Sequence, residues 1–147
     1  APFEVPVYDL TEFLATKIEL SRDFGEVPVT VTYHDPCHLK RGQGIDGEPR
    51  DLIRSIPGLR FIEMKDADRC CGGAGTFSFT HHNLSRKVGA RKADAIRATG
   101  AEYVATPCPS CKMQLDDLLR HDGAGTVTVH PVQLIDTAYT RKEASAP

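Results

Sequence analysis

The chain has 147 residues, a formal net charge of −2 and 26% charged residues, so it is sized for one domain that buries about 70% of its unfolded surface without disulfide staples. That charge balance leaves no electrostatic footprint for nucleic acid, and no apolar run reaches the length of a membrane span. Five cysteines, an odd number, leave a secreted disulfide framework incomplete and predict a reducing, cytoplasmic setting.

Ala1-Pro2-Phe3-Glu4 has neither the basic nor the apolar region of a signal peptide. With no initiator Met and an early helical pattern, the chain reads as a C-terminal fragment of a longer protein. Leu10, Phe13, Leu14 and Ile18 then repeat at helical spacing, predicting a lead-in helix over 9–20 with Asp9 as its cap. The β-branched run 29–33 predicts a first strand, stopped by His34-Asp35-Pro36. After a loop, 49–56 fits a short helix ended by Pro57-Gly58, and 59–64 a second strand.

A loop with Cys70 and Cys71 follows, and then a long helix over 82–98 with Leu84, Val88 and Ile96 on its apolar side and Gly100 as its stop. Residues 103–106 predict a third strand. Pro109 opens a helix that Cys111, Leu115, Leu118 and Leu119 carry as far as Gly123. Residues 126–130 predict a fourth strand, 131–139 a closing helix, and 141–147 a frayed tail.

This alternation predicts an α/β fold: a single domain with a four-stranded parallel sheet flanked by helices. It also places the cysteines. Cys37 follows the first strand, Cys70 and Cys71 the second, and Cys108 and Cys111 the third, so all five are expected at the carboxyl edge of the sheet, where such sheets hold ligands. Helices that begin beside these loops favour thiolate, the form that binds metal. Gly72, Gly73 and Gly75 allow close backbone approach to the vicinal pair, or simply make a tight turn.

Several chemistries remain open to these thiols. Zinc takes four, leaving one over, and the adjacent pair lacks the usual chelate spacing. A cubane cluster usually uses compact ferredoxin spacings, which are absent from this chain. Thiol-disulfide exchange by Cys108-Pro109-Ser110-Cys111 leaves three cysteines unexplained. The whole pattern favours a metal or cluster site, with redox-active or inert buried thiols as the alternative.

Three segments, His34-Asp35-Pro36-Cys37-His38, Cys70-Cys71-Gly72-Gly73-Ala74-Gly75-Thr76 and Cys108-Pro109-Ser110-Cys111, resemble the CCG or cysteine-rich domain family over about residues 29–139. That family is found in heterodisulfide reductase and in the iron-sulfur subunits of glycolate oxidase, lactate-utilisation and anaerobic glycerol-3-phosphate dehydrogenases. The resemblance implies an iron-sulfur site held by Cys37, Cys70, Cys71, Cys108 and Cys111, a [4Fe-4S] cluster that in heterodisulfide reductase is of noncubane type, with zinc as the alternative metal. It further implies electron transfer within a multi-subunit oxidoreductase with flavin-containing and other iron-sulfur subunits as partners, one of which would give any membrane association.

The text around Cys70 and residues 59–64 is most similar to the lactate and glycolate type, whereas the complete C-x2-C is shared with the heterodisulfide and glycerol-phosphate types. A structural zinc module that docks subunits, and a cluster acting directly on a disulfide substrate, are the alternative readings. A catalytic residue is not assigned, and catalysis by this domain alone is not expected.

Other residues near the expected edge are weighed in the same way. His34, His38 and His130 are expected to hydrogen bond in the loops more than to ligate, and His81 and His82 to cap a helix or lie exposed. Arg86, Lys87, Arg91, Lys92 and Arg97 read as a solvated basic face or as a surface that steers an acidic partner. Lys40, Arg41 and Arg50 read as counter-charges to an iron-thiolate centre or as surface residues. Phe77 and Phe79 read as core packing or as a shield for a cluster.

Overall fold

The computed structural model describes residues 4–121 and 125–145. Along the chain these form α1 (Leu10–Thr16), β1 (Thr30–Tyr33), α2 (Cys37–Gln43), α3 (Gly47–Arg54), β2 (Arg60–Phe61), α4 (Phe77–Thr80), α5 (His82–Arg97), β3 (Tyr103–Ala105), α6 (Pro109–His121), β4 (Val127–Val129) and α7 (Pro131–Ala144). The strands pair in parallel in the order β2-β1-β3-β4, and the expected four-stranded parallel sheet is therefore present.

Side-chain alternation along the strands divides the interior into two cores. Val31, Tyr33 and Ala105 face α3 and α7 and pack with Leu52, Ile53, Leu134 and Ile135. Val104 faces the other way, with Ile96 of α5 and Leu115, Leu118 and Leu119 of α6. The connection from β1 to β2 runs one way across the sheet and the next two run the other way. With one crossover hand, that reversal puts α3 on the opposite face from α5 and α6. The reversal lies between β1 and β3, and the crevice beyond their carboxyl ends is the ligand-binding position of doubly wound sheets.

Several elements differ from expectation. Asp9 caps α1 through the Thr11 amide at 2.8 Å, but the helix ends at Thr16. Leu10, Phe13 and Ile18 are exposed, so packing does not sustain a longer helix. The loop after β1 is in fact a helix, α2, with Cys37 at its first position behind Pro36, and it buries only Leu39. The second strand is a two-residue edge strand paired with β1 alone.

The region expected to fray is helical as far as Ala144. Arg141 donates to the Glu26 carbonyl at 3.2 Å and Lys142 meets Asp23 at 2.8 Å, which anchors that last turn to the chain's early loop. Gly123, the expected stop of α6, and residues 146 and 147 of the tail lie outside the described residues. No helix among the described residues is long and apolar enough to cross a membrane.

The face that α5 buries also differs. Leu84 is exposed, and the inward residues are Ser85, Gly89, Lys92, Ala93 and Ile96. These keep the helical period, but small residues and one lysine replace the large apolar ones. That substitution is explained by what the face holds, the segment that carries Cys70 and Cys71.

Candidate metal centre

All five cysteines line one cavity of about 300 Å³, together with His34, His38, Gly73, Ala74, Gly75 and Ser110. They reach it from three directions. Cys37 begins α2, Cys70 and Cys71 lie on the loop after β2, and Cys108 and Cys111 flank the start of α6. Cys71, Cys108 and Cys111 are buried in the core between the sheet, α5 and α6, whereas Cys37 and Cys70 are exposed at the mouth. None of the five is in a disulfide.

The vicinal pair is held by backbone contacts from both neighbouring helices. Gly72 has φ +89, a conformation that glycine adopts at no steric cost, and a β-carbon there would stand 2.4 Å from the Ser85 carbonyl oxygen of α5. Ser85 Oγ donates to the Gly72 carbonyl at 2.9 Å, and Ser110 Oγ of α6 donates to the Gly73 carbonyl at 2.7 Å. Gln114 adds a link to Ser85 Oγ at 3.2 Å. Gly89 backs onto the Cys71 carbonyl so closely that a β-carbon would lie 2.9 Å from it.

The sulfurs of Cys71 and Cys111 lie within 4.8 Å of each other. Hydrogen bonds from Cys111 and then Cys70 hold Cys71 far below the ordinary thiol range, against the effect of burial, and His34 adds to them. The Cys111 side chain likewise lowers Cys108 to about 5, with help from the Cys111 and Ser110 amides. Cys70 and Cys111, which supply protons to these bonds, are pushed up. Backbone amides also reach sulfur, with Gly72 N–H to Cys70 Sγ at 3.3 Å and Cys111 N–H to Cys108 Sγ at 3.5 Å. Paired thiols with part of their charge already developed suit displacement of protons by a metal.

His34 is buried, and its Nδ1 lies 3.2 Å from the Ala67 carbonyl. One ligand atom each from His34, Cys71 and Cys111 lie within 4.8 Å of one another. His38 lines the cavity, but His130 does not. Its Nδ1 accepts from the Val132 amide at 3.1 Å and so caps α7, in a box closed by Gln133. His81 and His82 are exposed, and His81 stacks on Phe77 with ring centroids 5.3 Å apart. Phe79 is 85% exposed and therefore belongs neither to the core nor to a shield.

The charged residues also resolve. Arg50 is not a counter-charge to the sulfurs: it grips Asp35 with two bonds of 2.7 and 2.8 Å and Glu63 with bonds of 2.9 and 2.7 Å. Lys40 meets Asp35 and Asp46, and Arg41 meets Asp68. Asp35 is 1% exposed and precedes Pro36 and Cys37, so Arg50 fixes the turn from which Cys37 projects. Burial raises the Asp35 pKa, but the hydrogen bonds and charge of Arg50 outweigh it and leave the carboxyl below 3.8. Arg86 pairs with Asp117 and Arg97 with Asp94, while Lys92 is buried and is not part of a solvated face.

The chain is 42% identical over 140 residues to the second of the lettered subunits of fumarate reductase (CoM/CoB) from Methanothermobacter marburgensis, covering 93% of this chain and 28% of that protein. It is 38% identical over 121 residues to a dihydromethanophenazine:CoB–CoM heterodisulfide reductase subunit from Methanosarcina barkeri, covering 79% and 29%. Lactate utilization protein A of Oceanobacillus iheyensis is 30% identical over 130 residues, covering 88% and 53%. The chain thus spans less than a third of the first two relatives and about half of the third. The model of the CCG cysteine-rich domain matches residues 31–116, the stretch that carries all five cysteines and most of the sheet, and the chain belongs to that family.

Proposed function

We propose that the chain is an iron-sulfur cluster-binding, electron-transfer domain of a multi-subunit oxidoreductase. Cys37, Cys70, Cys71, Cys108 and Cys111 would be the ligands. The observation that carries this reading is the convergence of five sulfurs on one cavity of about 300 Å³, one more than a tetrahedral zinc takes. The donor set fits a [4Fe-4S] cluster of noncubane type, which offers more positions for thiolate than a single ion. Such a cluster supplies electron transfer at a potential set by charge, burial and hydrogen bonds to sulfur. The protein's part is to bind and orient: Gly72 and Cys111 amides donate to sulfur, and the second core keeps water from Cys71, Cys108 and Cys111.

Each relative described above carries the name of an oxidoreductase subunit or a lactate-utilization protein. By analogy we place this chain in the cytoplasm, as one CCG-type domain of a longer protein. Its partners would be a flavin-containing subunit that oxidises a 2-hydroxy acid such as lactate or glycolate, and other iron-sulfur subunits. A second reading, a site acting on a disulfide substrate, is favoured by the likeness to the heterodisulfide reductase subunit and by the exposure of Cys37 and Cys70 at the cavity mouth.

Anaerobic reconstitution with iron and sulfide, followed by visible absorption and sulfide assay, tests the ligand set. Cys70→Ser and Cys71→Ser should each lower cluster occupancy, the buried Cys71 more than the exposed Cys70. Full occupancy in both variants would refute the role of the pair.

A further inference from the structure

Lys92 is 1% exposed and lies on the face of α5 that holds the cysteine loop. Along that face Ser85 binds the Gly72 carbonyl and Gly89 backs onto the Cys71 carbonyl. Lys92, one turn further, donates to the Asp66 carbonyl at 2.6 Å, the Ala67 carbonyl at 3.0 Å and Met64 Sδ at 3.8 Å. The three donors of the ammonium are thus used, but every acceptor is neutral. Among the described residues no carboxylate oxygen lies within 4.0 Å of it, and Asp35, the buried carboxylate, is committed to Arg50 and Lys40.

A buried cation is costly unless a negative charge compensates it. Met64 and Ala67, which accept from Lys92, belong to the same buried cluster as Cys71, Cys108 and Cys111. The field of the ammonium is weakly screened there. Burial lowers the Lys92 pKa, and the Cys71 sulfur is the strongest of the charges that oppose it.

The Ala67 carbonyl links this cation to the site. It accepts from Lys92, from the Asp35 amide at 3.0 Å and from His34 at 3.2 Å. A carbonyl only accepts, so in this hydrogen bond His34 Nδ1 is the donor. His34 in turn has a ligand atom within 4.8 Å of those of Cys71 and Cys111.

We propose that Lys92 is the buried counter-charge of an anionic centre on the cysteine sulfurs and favours its reduced form. This rests on the reading that those sulfurs bind a metal-containing centre. A fixed positive charge stabilises the more negative of two redox states, so its removal lowers the reduction potential.

The test compares the reduction potentials of the loaded wild type, Lys92→Gln and Lys92→Met, with iron and sulfide content and thermal unfolding measured alongside. Glutamine keeps a donor for the Asp66 and Ala67 carbonyls but lacks the charge, and it carries the test if the methionine variant fails to fold. With a full cluster, Lys92→Gln should be at least tenfold less biased toward reduction, a downward shift of about 59 mV for a one-electron couple. A wild-type potential in Lys92→Gln would reduce Lys92 to a structural clamp and overturn the proposal. A wild type that takes zinc in place of iron and sulfide contradicts the proposed function, yet Lys92 is still tested. Chelator competition should then show at least tenfold weaker zinc binding in Lys92→Gln, and unchanged affinity would overturn the counter-charge.

Discussion

Arg50→Ala is expected to destabilise the domain by about 3–5 kcal/mol, the cost of breaking a buried ion pair, with Lys40 at 3.6 Å left as the cation beside Asp35. Asp35 is 1% exposed and Arg50 12%, and their two bonds are short. The same guanidinium lies 4.8 Å from the centre of the Tyr33 ring, so alanine also uncovers part of the first core. Arg54→Ala serves as the control, because Arg54 is half exposed and meets Glu63 at 3.8 Å. Its cost should be about 0–1 kcal/mol.

Urea unfolding at pH 7 measures both variants, and repeating it in acid tests the cause. The Asp35 carboxyl lies below 3.8 in the folded protein, so its contribution is fully present above that value. It is lost as pH falls through the lower, folded-state value. The gap between wild type and Arg50→Ala should therefore narrow as the pH falls, because protonation removes the carboxylate charge that the variant leaves without Arg50 while the wild type holds its proton off to lower pH. A gap that stays constant would show that the loss comes from packing rather than from the ion pair.

Gly72→Ala is the second large effect, and it acts on the cysteine loop itself. A left-handed backbone costs an L-residue about 1–2 kcal/mol, and overpacking against the Ser85 carbonyl adds about 1–3 kcal/mol. Relief requires the loop to leave α5, which moves Cys70 and Cys71. Both the unfolding midpoint and cluster occupancy should fall. Gly75→Ala separates the two causes, since Gly75 also has positive φ but a β-carbon there meets nothing within 4 Å. Equal losses in the two variants would remove the close approach from the explanation.

The fold was legible where residue type and period agree. Thr30–Tyr33 is β-branched and aromatic, and Pro109 and Pro131 open helices that then bury Leu115, Leu118, Leu134 and Ile135. The cysteine site was legible for a topological reason, because residues that follow successive parallel strands emerge at one edge. Helix α2 was not legible, since a segment that buries only Leu39 has no apolar repeat to read. The buried face of α5 was misread because its partner is backbone. A close-packed loop selects Ser85 and Gly89, and its carbonyls select Lys92, none of which scores as apolar. Arg50 and Asp35 are 15 residues apart in sequence, and only the folded chain shows that one holds the turn behind Cys37.

Metal and acid-labile sulfide analysis of protein purified without oxygen tests the central claim most directly. The expected result is a coloured protein with iron and sulfide in equal amounts, about four of each per chain for a [4Fe-4S] cluster, and no stoichiometric zinc. A colourless protein with one zinc and no sulfide would contradict it.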